Sequence, residues 1–238
     1  MGAGIQLYLS SGKRGSGSES EYYKWEYVET WKFSVQELYS FVKPYWYCWK
    51  TVPSSNYYVG SSEGFSQNVI SNQPLDFIST ETNRLFYRYS INVFQYSMNR
   101  HSYQYFKQLK EQLENKSSLF EKTPVVLNSN ISCLSNKNEV VLGYFEVSEV
   151  DSTRIFIDKK ELTDDFLWTG LVNYDSECYK KKIPISQKDD IDLRLVADTV
   201  VLIIDGRRDT SLIYHYSRTC FDCTTKGFPN VPPDYWKE

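Results

Sequence analysis

The stretch Tyr22-Tyr-Lys-Trp-Glu-Tyr-Val-Glu-Thr-Trp-Lys-Phe-Ser-Val35 decides how the chain is built. Read at every second residue, one face carries Tyr23, Trp25, Tyr27, Glu29, Trp31, Phe33 and Val35. The other carries Lys24, Glu26, Val28, Thr30, Lys32 and Ser34. A strand sends successive side chains to opposite faces, so this period-2 pattern predicts a half-buried strand. Aromatic and β-branched residues suit its pleated surface. A buried ring removes on the order of 150–250 Å² from water. One face therefore demands an opposing apolar layer from the rest of the chain.

A second stretch of the same kind, residues 85–96, places Leu85, Tyr87, Tyr89, Ile91 and Val93 on one face, and the two are expected to pair or to face each other. The period then changes. Tyr103, Phe106, Leu109 and Leu113 recur at three- and four-residue spacing after Asn99, a plausible N-cap. This predicts an amphipathic helix over 99–114, lying against a sheet. Shorter strands are expected at 5–9, 56–60, 199–205 and 212–216. Residues 140–150 and 154–157 are read as a hairpin turning at 149–153. Residues 10–20, 68–74 and 175–182 are read as loops.

The expected fold is mainly β: a sandwich-like β domain over 1–217, with one helix near 99–114, and an irregular, Cys-containing C-terminal tail over 218–238 packed on it.

Composition narrows the function classes. The chain has 238 residues, 41% hydrophobic and 24% charged, enough for a sizeable core. Net charge is −3, and the densest basic run is Lys180-Lys-Lys182, read as a solvated loop. A nucleic-acid-binding face needs more positive charge than that. Twenty tyrosines and six tryptophans stand against two methionines, and such rings serve cores and ligand platforms alike. No apolar run approaches the ~20 residues that span a bilayer. Met1 leads directly into strand-like residues without the regions of a secretion signal, so the expectation is either a cytoplasmic protein or a chain lacking its natural beginning.

Cys220-Phe-Asp-Cys223 is the sharpest local motif among five cysteines. Zinc would need two further ligands, recruited from Cys178, His101 or His215. A redox motif would open a helix, but Pro229, Pro232 and Pro233 follow. The third reading is structural, with one or both cysteines in disulfides that hold the tail. His101 and His215 are the only histidines, and no Gly-x-Ser-x-Gly accompanies them. Glu26 and Glu29 fall on opposite faces and cannot act as a pair. Glu29 interrupts the aromatic face, where it is expected to pair with a basic partner such as Arg88, the alternative being that it lines a cleft. Asp164-Asp165, Asp189-Asp190 and Asp192 lack the spacing and glycine of a calcium loop. Gly15-Ser-Gly17 lacks the strand-to-helix setting of a phosphate cradle. No catalytic residue, cofactor or metal site is expected.

Several stretches carry a family resemblance. They are YYKWEYVETW (22–31), Cys48-Trp49 with Val59-Gly-Ser-Ser-Glu63, RYSINVFQY (88–96) with the helix after it, and VLGYF (141–145) with RIFI (154–157). The ending from Cys220 through Asn230-Val-Pro-Pro-Asp-Tyr-Trp236 adds to them. In this order and spacing they resemble the Bacteroidota family of domain of unknown function 4249. The resemblance implies a C-terminal portion of a protein that usually begins with a secretion signal, a lipid-anchoring cysteine and immunoglobulin-like domains. It implies an outer-membrane lipoprotein accessory to a TonB-dependent receptor, in an oxidising envelope that favours disulfides over thiols or zinc. The chain departs from the family at Phe228-Pro229, where a second glycine is usual. The family has no assigned catalytic residues to carry over.

The leading expectation is thus a non-catalytic envelope domain whose partner is a TonB-dependent receptor and whose membrane contact is a lipid anchor outside this chain. The alternative is an independent carbohydrate- or peptide-binding module, with rings exposed in a shallow groove. A hydrolase would require a pocket holding a carboxylate pair, or His215 beside a nucleophile.

Overall fold

In a computed structural model, the described residues are 3–12, 20–34, 47–115, 127, 129–162, 180–184, 199–203, 212–217 and 222–237. In chain order they form β1 (Gly4–Gly12), β2 (Tyr22–Ser34), β3 (Tyr47–Pro53), β4 (Tyr58–Ser61), β5 (Val69–Ser79) and β6 (Arg88–Met98). Then come α1 (Arg100–Asn115), β7 (Glu149–Asp158), a 3₁₀ turn (Lys159–Glu161), β8 (Lys180–Pro184), β9 (Thr199–Ile203) and β10 (Leu212–Ser217). A second 3₁₀ turn (Cys223–Lys226) opens the tail.

The aromatic strand β2 is the centre of the largest sheet, whose order is β3-β2-β6-β7, with β4 also pairing β2. β2 and β6 run antiparallel, with Trp31 opposite Tyr89 and Tyr22 opposite Met98, so the expected pairing of the two long strands holds. The ring-bearing face of β2 is buried throughout: Tyr23, Trp25, Tyr27, Trp31 and Phe33 all belong to the core. The layer opposite is the β1–β5 ribbon. Its Leu75 and Ile78 are core residues, and Ile5, Leu7 and Leu9 pack against them. Two sheets enclosing one apolar layer is the sandwich arrangement. The fit is close at Gly60, where an added Cβ would lie 2.9 Å from the Trp25 ring. The Trp25 indole N–H, carried into this dry interior, donates to Gln95 Oε1 at 2.9 Å.

The second face of β2 is covered at its two ends by different elements. At one end lies α1, capped as expected: Asn99 Oδ1 accepts from the Ser102 amide at 2.9 Å. Tyr103 meets Tyr22 with ring centroids 5.1 Å apart, and Lys24 Nζ lies 4.4 Å from the Phe106 ring centroid. At the other end lies the C-terminal tail. It begins on the core face, where Cys223 is bonded to Cys48 and Phe228 meets Phe33 edge-on. It passes the outer edge of β3, where Pro229 O accepts from the Trp49 amide at 3.0 Å. It finishes on the second face, where Trp236 packs edge-on against Trp49 and Phe156. Tyr235 Oη lies 2.8 Å from Thr30 Oγ1. The tail thus covers a strand edge that would otherwise offer free backbone groups to another chain.

Three sequence expectations are corrected. Residues 69–74 and 10–12, both read as loop, belong to β5 and β1, which pair through Ser11↔Ile70 and Gly12↔Val69. The alternation there is hidden by two register shifts, by Asn72 in the left-handed region (φ 55°) and by Pro74. The hairpin at 140–157 is replaced by the single strand β7, which runs through the supposed turn. β7 has no partner beyond β6 among the described residues and its first five residues are exposed. An edge strand tolerates polar residues such as Asp151-Ser152-Thr153, which is why they imitate a turn. Residues 140–148 carry no strand, and Val140, Leu142, Phe145 and Val147 are exposed. Finally, Lys180-Lys-Lys182 is not loop. It lies in β8, paired with β10 through Lys182↔Tyr214 and Lys180↔Tyr216. A backbone ladder does not depend on side-chain polarity, and an edge strand favours lysine.

Candidate binding site

Three clusters of functional side chains emerge, and they differ in how much of their chemistry is already committed within the fold.

The first is the interior ion cluster. Glu29 on β2 and Asp76 on β5 both meet Arg84 Nη1, at 2.6 and 2.8 Å, while Arg84 Nη2 donates to Phe77 O at 3.1 Å. Tyr89 Oη donates to Glu29 Oε2 at 3.0 Å. The expectation of a basic partner for Glu29 is met, but the partner is Arg84. Arg88 instead faces Asp158, at 3.5 Å, because even-numbered residues of β6 point to the second face of the sheet. Burial alone would lower the Arg84 pKa, but the charges of Glu29 and Asp76 more than offset it, and the net shift is upward. The cluster is a clamp joining the two layers of the sandwich. Its two carboxylates are occupied by a fixed guanidinium, which is a structural arrangement rather than an acid–base pair awaiting substrate.

The same cluster sets an alkaline limit. Burial first, and then the Glu29 charge, push the Tyr89 hydroxyl far above its usual value of 10.0. Burial and the Asp76 charge raise Tyr27 likewise. A raised folded-state pKa means that the stabilisation is fully present below the unfolded value and is lost as pH rises past it. Urea midpoints are therefore expected to hold steady up to about pH 9.5. Above about pH 10 stability should fall by roughly 1.4 kcal/mol per pH unit from Tyr89 alone. Tyr89→Phe should flatten that decline, and an unchanged alkaline slope in this variant would count against the assignment.

The second cluster is a cleft of about 430 Å³ beside α1, lined by His101, Gln104, Tyr105, Gln108 and Tyr144 among others. Tyr105 and Tyr144 lie with ring centroids 4.9 Å apart. Asn130 closes one wall by bridging the backbone of Phe145, accepting at 2.8 Å and donating at 2.7 Å.

The third is a pocket of about 360 Å³ on the second face of the large sheet, at the tail-covered end. Lys32 comes from β2, Arg88 from β6, Asp158 from the end of β7, Lys159 and Lys160 from the turn that follows, and Trp236 from the tail. Phe86 and Tyr87 complete it. The turn is held in place by the Lys159 amide donating to Tyr87 O at 3.0 Å. The Glu161 carboxylate is folded back onto the Asp158 amide at 3.5 Å.

The residues singled out from sequence are dispersed by the fold. Cys223 is disulfide-bonded to Cys48, at a sequence separation of 175 residues. Cys220 and Cys178 lie outside the described residues, as do Val35, residues 15–17, Asp164-Asp165, Asp189-Asp190 and Asp192. Cys133 keeps a free thiol. His101 is exposed on the first turn of α1, and His215 sits in β10 opposite Val201 and Lys181. Glu26 points to the second face, 3.5 Å from Lys24 Nζ and accepting from Tyr96 Oη at 3.3 Å. No group of three or more metal-ligating side chains occurs among the described residues. The basic pocket went unnoticed in the sequence because its lining comes from positions scattered between 32 and 236. Phe86-Tyr-Arg88 and Asp158-Lys-Lys160 are each contiguous, but neither run has a distinguishing pattern, and the fold joins them to Lys32 and Trp236.

Neither curated proteins nor solved structures provide a match. The family model described as domain of unknown function (DUF4249) matches residues 2–154, which takes in both long aromatic strands, α1 and most of β7. That is well over half of the chain, and the chain therefore belongs to the DUF4249 family.

Proposed function

We propose that this is a non-catalytic, envelope-exposed binding domain of an outer-membrane lipoprotein, accessory to a TonB-dependent uptake receptor. The observation that carries the proposal is the Cys48–Cys223 disulfide within a DUF4249 chain. A buried disulfide anchoring the tail suits an oxidising compartment, where such bonds form and persist. The non-catalytic reading is supported by the commitment of the charged side chains: Glu29 and Asp76 are bound by Arg84, and Glu26 by Lys24 and Tyr96.

The test is recovery of the full-length protein from membranes in a mild detergent, followed by identification of what accompanies it. A TonB-dependent receptor is the expected companion. Repeated recovery without one overturns the accessory role.

A second reading, an independent carbohydrate- or peptide-binding module, is favoured by one specific observation. The cleft beside α1 combines the Tyr105–Tyr144 ring pair with amide side chains, a combination suited to a neutral, hydrogen-bonding ligand. Ligand binding by the isolated domain, together with absence of the receptor from the membrane preparation, would select this reading.

A further inference from the structure

Among the described residues, the pocket at the tail-covered end of the large sheet is lined by four cationic side chains, Lys32, Arg88, Lys159 and Lys160, and by one carboxylate, Asp158. This is a local reversal of sign on a chain whose net charge is −3. Three of these cations are held over rings. Lys159 Nζ lies 4.3 Å from the Phe86 centroid and the Arg88 guanidinium carbon 4.9 Å from Phe156. Lys32 Nζ lies 4.7 Å from Tyr47. A ring face fixes the position of a cation without neutralising its charge. Asp158, the one carboxylate among the described lining residues, lies 3.5 Å from Arg88, while the Lys159 and Lys160 side chains are exposed.

The polar groups have a matching bias. Arg88 Nε and Trp236 Nε1 are buried donors with no hydrogen-bond partner. Buried donors are ordinarily paired, so this wall has donors in excess of acceptors. Beside them, Phe86, Tyr87 and Trp236 supply apolar surface. The pocket is also built on fixed elements: the 3₁₀ turn is tied to Tyr87 O, and Trp236 is wedged against Trp49 and Phe156.

We propose that this pocket binds an anionic small ligand, its carboxylate or phosphate among Arg88, Lys159 and Lys160 and its apolar part against Phe86 and Trp236. The inference rests on the reading of the domain as a binding domain and names a ligand class for it. It does not depend on the receptor: membrane recovery can fail while anion binding holds, and the reverse.

The experiment uses the whole purified chain with its disulfide intact and follows binding by calorimetry and tryptophan fluorescence. The probes are benzoate, inorganic phosphate and the neutral analogue benzamide. At least one of the two anions should bind saturably, benzamide should not, and added salt should weaken the anion. Preference for benzoate would identify a carboxylate on an apolar body, and preference for phosphate a phosphoryl group. Lys159→Gln combined with Lys160→Gln should weaken binding by about tenfold or more, since each lysine contributes a charge-assisted contact. Both side chains are exposed, so the thermal midpoint should stay put. Absence of saturable binding by either anion overturns the proposal. So does unchanged affinity in the double variant, and so does equal binding of benzamide.

Discussion

Replacing both Cys48 and Cys223 by alanine is expected to cost about 3–5 kcal/mol of folding stability. The bond closes a loop across 175 residues, most of the chain. In the chain-entropy account, a link of that span removes more freedom from the unfolded state than a short one, on the order of 5 kcal/mol. The folded side loses something too. Both cysteines are fully buried in the core, and each truncation leaves a small void beside Phe33 and Phe228. The effect should be directional within the fold. The tail reaches the second face by passing β3, so freeing its root should loosen the contacts downstream. Amide exchange at Trp49, whose N–H is bound by Pro229 O, should accelerate more than exchange at the β2–β6 ladder. The double variant is the informative one, because Cys223 alone would be left close in sequence to Cys220. Cys133→Ala serves as control, since that thiol is free. An unchanged denaturation midpoint in the double variant would remove the disulfide from the account of how the tail is held.

How much of this was legible in the sequence depends on how local the signal is. β2 and β6 could be read because large apolar side chains recur at every second residue along most of each. Tyr87, however, expected on the Tyr89 face, precedes β6 and meets Ser34 on the second face. α1 could be read because its stripe and its Asn99 cap agree. β5 could not, since a left-handed Asn72, Pro74 and two register shifts break the period that identifies a strand. Its existence follows only from the need of the β2 rings for a covering layer, a demand that names no residues. β7 was misjudged for the complementary reason: an exposed edge permits side chains that look like a turn. The partner of Glu29 shows the limit of face arithmetic. Arg88 is nearby in β6, but parity places it on the wrong side of the sheet, and the actual partner Arg84 precedes the strand. The basic pocket, assembled from four separated stretches at Lys32, Phe86–Arg88, Asp158–Lys160 and Trp236, has no pattern that identifies it in sequence.

The helix and the tail give the two ends of the large sheet different characters. At the α1 end, the Lys24 cation is enclosed between the Tyr96 and Phe106 rings and meets Glu26 and Glu146, so its charge is answered within the fold. At the tail end, cations outnumber carboxylates among the described lining residues. Among the described residues, one sheet face thus carries a paired lysine beneath a helix and a cluster of cations beneath a tail.

The second large effect is expected at Arg84. Arg84→Met should destabilise the domain by roughly 3–5 kcal/mol, because it strands Glu29 and Asp76 at a buried interface without their counter-ion. Their side chains are only 10% and 19% exposed, so water can compensate little. The loss is chiefly the cost of two desolvated carboxylates facing each other, not the intrinsic value of the pair. That distinction yields a sharper expectation. Removing all three charges together, as Glu29→Leu, Asp76→Leu and Arg84→Met, should leave stability closer to that of the parent than Arg84→Met alone. The clamp joins strands of opposite layers, and an apolar bridge of similar volume can also join them. The residual deficit should come from Tyr89, whose hydroxyl donates to Glu29 and would lose its acceptor in the dry core. Adding Tyr89→Phe to the triple variant should recover part of it. Denaturant titration of the four proteins separates the outcomes. If the triple variant is less stable than Arg84→Met, the charges are stabilising in their own right, and the cluster is more than a satisfied interior pair.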